Sequence, residues 1–133
     1  MNPVVHFEMP YEDKNRMADF YSKAFGWKSQ ILGPEMGEYI VAQTTEMDGN
    51  NMVTKPGTIN GGFFKRSKPD QGVSVVISVE DIHAAMISIE ESGGKVIGGQ
   101  NPGEPDDIPG IGLYISFRDT EGNLVGVLQP KGM

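Results

Sequence analysis

The chain has no cysteine. That excludes a disulfide scaffold, a thiolate nucleophile and a cysteine-ligated zinc site. Histidine is almost as scarce, with only His6 and His83. Neither has a partner placed by sequence, so no Ser-His-Asp set can be assembled. Long hydrophobic runs are missing too: none approaches the ~20 residues of a membrane span. The opening Met-Asn-Pro-Val-Val-His carries no signal-peptide pattern, so no membrane partner and a cytoplasmic location are expected. Positive charge is in the minority, with 11 Lys and Arg against 18 Asp and Glu and a net charge of -7. Such a balance argues against a nucleic-acid partner. It suits a cationic ligand, although solubility alone accounts for it.

What is present is enough for one domain: 133 residues, of which 38% are hydrophobic. Val4 to Met9 alternates and stops at Pro10, the pattern of a short strand. From Asp13 the period changes. Met17, Phe20, Tyr21, Ala24 and Phe25 form one apolar helical stripe, with Asp13 or Glu12 to cap its start and Gly26 to end it. These aromatics, with Trp27, read as core. Three strands are expected next, over Trp27 to Leu32, Glu38 to Thr45 and Thr58 to Lys65. The order then recurs. Gly72 to Val79 reads as a strand, and Ile82, Ala85, Met86 and Ile89 as a helical stripe stopped by Gly93-Gly94. Lys95 to Ile97, Leu113 to Phe117 and Leu124 to Gln129 read as three further strands. The stretch GGQNPGEPDDIPGIG between the first two of these reads as a loop. His83, flanking the second stripe, reads as a surface residue.

The fold class expected is α+β: two tandem βαβββ modules, about 3-66 and 72-130, forming a single domain. A curved, mostly antiparallel eight-stranded sheet would surround a cleft, with the helices outside. Arg66-Ser67-Lys68 reads as a solvated join between modules. The glycine-rich GGFF and GGQNPG precede no helix, so neither reads as a phosphate loop. Met36, Met47 and Met52 lie in or near the first long loop.

HFEMPYEDKNRMADFYSKAFGWK resembles the opening module of the vicinal oxygen chelate superfamily. That superfamily holds glyoxalase I, extradiol dioxygenases, fosfomycin-resistance enzymes and bleomycin-binding proteins. SVEDIHAAMISIEESGGKV resembles the start of its second module, and FRDTEGN its closing turn. Ile59-Asn60-Gly61-Gly62 and the run from Gly122 to Gln129 resemble a glyoxalase-like branch without an assigned common reaction. The resemblance implies a homodimer, and in metal-dependent members a divalent ion held by the first and last strands of each module. His6 is the only position here that matches a ligand. Ser74, Gly126 and either Asn60 or Gly62 fall at the others, and none is a good donor. No metal and no other cofactor is therefore expected, with a divalent ion kept as the alternative.

If His6 faces the cleft, so does Glu8, two residues on along the strand. The pocket residues expected are His6, Glu8, Ser74, Val76, Gly126, Leu128 and Arg118. Gly126 would leave an open floor facing His6 and Glu8. His6 and Glu8 are the catalytic candidates, as a general base on an acidic C-H or O-H if burial tunes the pKa. Arg118 is the candidate to stabilise the resulting anion. Binding of a small organic molecule without a metal is the function expected. A metal-assisted lyase, isomerase or dioxygenase and a non-catalytic regulatory domain are the alternatives.

Overall fold

The computed structural model describes residues 1-131, which carry two α-helices and nine strands, an α+β chain. The strands are β1 (Val4–Tyr11), β2 (Lys28–Ile31), β3 (Ile40–Gln43), β4 (Asn60–Lys65), β5 (Ser74–Ser78), β6 (Lys95–Gly98), β7 (Asp106–Ile108), β8 (Gly112–Arg118) and β9 (Leu124–Pro130). The helices are α1 (Lys14–Phe25) and α2 (Ile82–Glu91). The residues group into two compact units. The first is His6–Val73; the second is Met1–Val5 with the chain from Ser74 onward.

In the first unit the strands run in the order β2-β3-β4-β1. β1 and β4 are parallel, with Glu8 beside Gly62, whereas β3 is antiparallel to both β2 and β4. Helix α1 starts at Asp13, whose carboxylate accepts from the Arg16 amide at 3.0 Å. It ends at Gly26, whose φ of 75° suits a glycine and lets its N-H reach the Ser22 carbonyl. Tyr11, Ile40, Ala42 and Phe63 are buried, with Phe7, Met9, Met17, Tyr21 and Trp27 packed against them. Burying a side chain the size of Ile40 or Phe63 stabilises the fold by roughly 1.5–3 kcal/mol. Tyr21 stacks on Trp27 at 4.6 Å between ring centroids.

The helical stripe read from sequence is only partly core. Met17 and Tyr21 meet the sheet, but Phe20 and Phe25 are 56% and 65% exposed and lie against Tyr21 at 5.0 and 6.0 Å. The sheet that α1 packs on is four strands wide, and only the Met17 and Tyr21 side of the helix packs against its core. Strand β1 also runs past the expected stop: Pro10 pairs in register with Phe64 and Tyr11 with Lys65. Proline is tolerated in a strand where the ladder needs no N-H from it.

The second unit runs β5-β9-β8-β6, with β7 paired to β8. β5 is parallel to β9; the pairs of β8 with β6, β7 and β9 are antiparallel. Asp81 caps α2 by accepting from the amides of His83 and Ala84. Ile82, Ala85, Met86 and Ile89 pack with Val79, Ile115 and Val127, as the stripe predicts. His83 is exposed. β7 is a ninth strand inside the stretch read as a loop. Pairing with β8 overrides the turn-like residues of EPDDIPG. The β8–β9 turn is closed by Asp119, which accepts from the amides of Glu121 and Asn123 at 2.9 Å. Bonding to Asn123 holds its carboxyl below the usual range.

Candidate functional site

Strand alternation sorts the first unit's side chains. Phe7, Met9 and Tyr11 of β1 pack with the core around α1, which leaves His6 and Glu8 on the opposite face. Register places His6 beside Asn60 and Glu8 beside Gly62. Tyr39, just before β3, completes the set. Its hydroxyl donates to Glu8 Oε2 at 2.8 Å and lies 2.9 Å from His6 Nε2. His6 Nε2 is 3.8 Å from Glu8 Oε1. When Glu8 is ionised, the single phenolic proton of Tyr39 is spent on the carboxylate. The His6 contact then requires the Nε2-H tautomer, donating to the Tyr39 oxygen.

Gly62 makes this arrangement possible. A Cβ there would stand 1.6 Å from the Tyr39 hydroxyl oxygen. The phenol therefore occupies the volume that a side chain at position 62 would fill. Tyr39 supplies from outside β4 the polar group that β4 lacks.

Burial sets the electrostatics. The Glu8 side chain keeps 17% of its surface exposed and that of His6 30%. Desolvation pushes the Glu8 carboxyl up to about 7, against the opposing pull of the Tyr39 hydrogen bond. Desolvation also lowers the His6 pKa, so the imidazole is neutral near pH 7. A carboxyl that is partly protonated at neutral pH can both give and take a proton.

The remaining expected pocket residues lie in the second unit. Val76 is beside Gly126 and Ser78 beside Leu128. Ile77 packs with the α2 core, so Ser74, Val76, Gly126 and Leu128 share the other face. The floor expected to be open above Gly126 is taken. A Cβ at Gly126 would lie 2.6 Å from the Tyr114 hydroxyl oxygen, so that phenol covers the glycine. Arg118 donates from Nη1 to the Gly122 carbonyl of its own turn at 3.0 Å. Within the first unit, Tyr39 is the donor beside Glu8.

Sequence reasoning places Tyr39 and Tyr114 on strands and does not fix the faces they take. The one available signal was a glycine inside each unit's last strand, which marks a close approach by something else.

The donor set does not fit a divalent cation. Among the described residues no three His, Asp or Glu side chains come together. Gly62 and Gly126 offer no side chain, and Asn60 Oδ1 already accepts from the amides of Thr44 and Thr45 at 2.8 and 3.1 Å. That leaves His6 and Glu8 as the first unit's donors at these positions, too few for a divalent ion.

Two helices and nine strands, paired both parallel and antiparallel, define an α+β class of protein among the described residues. The chain belongs to the Glyoxalase/Bleomycin resistance protein/Dioxygenase superfamily, whose model matches residues 4–127. A glyoxylase-like domain-containing protein of Didymella fabae is 31% identical over 94% of this chain and 91% of its own length. Among solved structures, a Streptomyces coelicolor methylmalonyl-CoA epimerase variant with 2-nitronate-propionyl-CoA is similar at TM-score 0.68. It is 14% identical and the match covers 97% of each chain. A methylmalonyl-CoA epimerase from Mycobacterium tuberculosis is similar at TM-score 0.63 and 12% identity, over 97% of this chain and 88% of that one. At such identities the likeness shows the fold. No helix among the described residues is long and apolar enough to cross a membrane.

Proposed function

We propose that the His6–Tyr39–Glu8 face of the first unit binds a small, weakly acidic organic molecule and that Glu8 exchanges a proton with it. The observation that carries this reading is the Glu8 carboxyl, largely but not fully buried, hydrogen-bonded by Tyr39 and poised at about 7. A base of that strength matches the protons of phenols and β-dicarbonyls better than an ordinary exposed carboxylate does. Once Glu8 has taken a proton, the Tyr39 O-H is released to bond a developing anion, the part first sought in Arg118. Neutral His6 fixes the orientation of the phenol. None of this needs a metal, and the donor chemistry of the chain supports a metal-free site. The epimerase likeness contributes the fold and no substrate.

The test is a thermal-shift screen with a panel of phenols and β-dicarbonyls, run on the unaltered protein and on Glu8→Gln. A binding compound raises the midpoint in proportion to its affinity and concentration. The expected result is a hit whose shift depends on pH near 7 and is lost in Glu8→Gln. A panel without a hit, or a hit held equally by the Gln variant at every pH, overturns the reading.

A further inference from the structure

Glu38 has a backbone conformation that its side chain does not favour. Its φ is 57°, directly after Gly37 at 65°. Two left-handed residues in succession would ordinarily call for glycine or asparagine at the second. Glutamate is there, and parts of three elements hold it. The Tyr11 hydroxyl of β1 donates to the Glu38 carbonyl at 2.6 Å. Lys14 of α1 reaches Glu38 Oε1 at 3.2 Å, and Lys65 of β4 lies 3.5 Å from Oε2. Tyr11 is itself buried, so the carbonyl is tied to the core. The next residue is Tyr39, whose own amide and carbonyl bond Met36 and Leu32.

We infer that Glu38 is a positioning residue: clamped by Tyr11, Lys14 and Lys65, it fixes the left-handed turn that lays Tyr39 over Gly62 and aims its hydroxyl at Glu8. This rests on the reading of Glu8 and Tyr39 as the working groups, but its test does not require a ligand. A phenol must leave a position after β2, cross above β4 and arrive within hydrogen-bond distance of β1. The backbone direction at residue 38 decides whether it does. The two lysines come from elements on either side of the turn, so their ion pairs resist rotation of the peptide between Glu38 and Tyr39.

The experiment follows the Glu8 side-chain carboxyl by carbon NMR through a pH titration, with thermal unfolding alongside. Tyr39→Phe removes the bond that lowers the Glu8 pKa, so its midpoint rises. Glu38→Gly accepts the left-handed backbone but has no carboxylate to clamp. Glu38→Ala loses both. The expected result is an upward shift of the Glu8 midpoint in both, larger in Ala, and no further shift when Glu38→Gly is combined with Tyr39→Phe. A role confined to stability would lower the unfolding temperature and leave Glu8 titrating as in the unaltered protein; that result overturns the proposal. If Glu38→Ala does not fold, the pair Lys14→Met with Lys65→Met keeps Glu38 and opens the clamp, and must shift Glu8 in the same direction. If Tyr39→Phe leaves the Glu8 midpoint in place, the reading of the site itself fails, a different outcome from the failure of Glu38 alone.

Discussion

The two units are built on one register and differ in what stands on the first strand. Ile40 and Ile115 are both fully buried, and each pairs with the buried residue that follows the last strand's glycine, Phe63 or Val127. Gly62 and Gly126 correspond, each lying under a tyrosine, Tyr39 or Tyr114. Beside those glycines stand Glu8 in one unit and Val76 in the other. Two residues earlier are His6 and Ser74. The frame and the tyrosine-over-glycine device are therefore properties of the unit. On the first strand the units differ at two positions, His6 against Ser74 and Glu8 against Val76.

The comparison is broken most severely at its shared centre. Ile40→Ala and Ile115→Ala each empty a site with no exposed surface. Each should cost about 2–5 kcal/mol of unfolding free energy, since the cavity adds to the lost burial. Urea unfolding measures this. A cost below 1 kcal/mol at either site would mean that the two isoleucines are not equivalent anchors.

Next in size is the charge that only the first unit carries. Glu8 takes up its proton near pH 7 in the fold, against an ordinary value of 4.5. The folded state thus binds more protons between those values, and stability falls as pH rises from 4.5 through 7. Glu8→Gln removes that penalty. The variant should be more stable than its parent above pH 7 by up to about 3 kcal/mol, and the gap should close below pH 4.5. Val76→Leu, the control in the other unit, should show no pH-dependent difference. Denaturation at pH 4, 6 and 8 reads both.

Much of this frame was legible in the residues. Both helices follow from periodicity, the first with Asp13 or Glu12 to satisfy its free amides and Gly26 to end it; the structure settles the cap on Asp13. The shared face of His6 and Glu8 follows from strand alternation alone. Tyr39 and Tyr114 were not legible, because alternation cannot choose a face for EYIVAQ or GLYISF until the strands are in register. Nor can spacing reveal that a phenol fills the space over a glycine more than ten residues away. The β7 strand was missed for a related reason. Asp and Pro are turn formers locally, and only the partner β8 makes a strand of them.

The glycines sharpen the comparison at smaller cost. Gly62→Ala would bring a methyl group to 1.6 Å from the Tyr39 oxygen, and Gly126→Ala to 2.6 Å from that of Tyr114. Displacing a packed ring costs roughly 1–3 kcal/mol, with Gly62 expected at the upper end. Thermal unfolding ranks the two. Gly126→Ala proving the more damaging would count against the close seating of Tyr39.

The smallest effect separates the units most cleanly. Tyr39→Phe and Tyr114→Phe each delete one oxygen from rings that hold corresponding places, so each should cost only about 0.5–1.5 kcal/mol. Stability alone cannot tell them apart. What the Tyr39 oxygen touches gives a second readout: its hydroxyl bonds the Glu8 carboxylate. Losing a donor to an ionised group favours its neutral form. Tyr39→Phe should therefore raise the Glu8 midpoint above 7 and steepen the pH dependence of stability. A Glu8 midpoint unmoved by Tyr39→Phe would mean that the phenol does not act on the carboxylate.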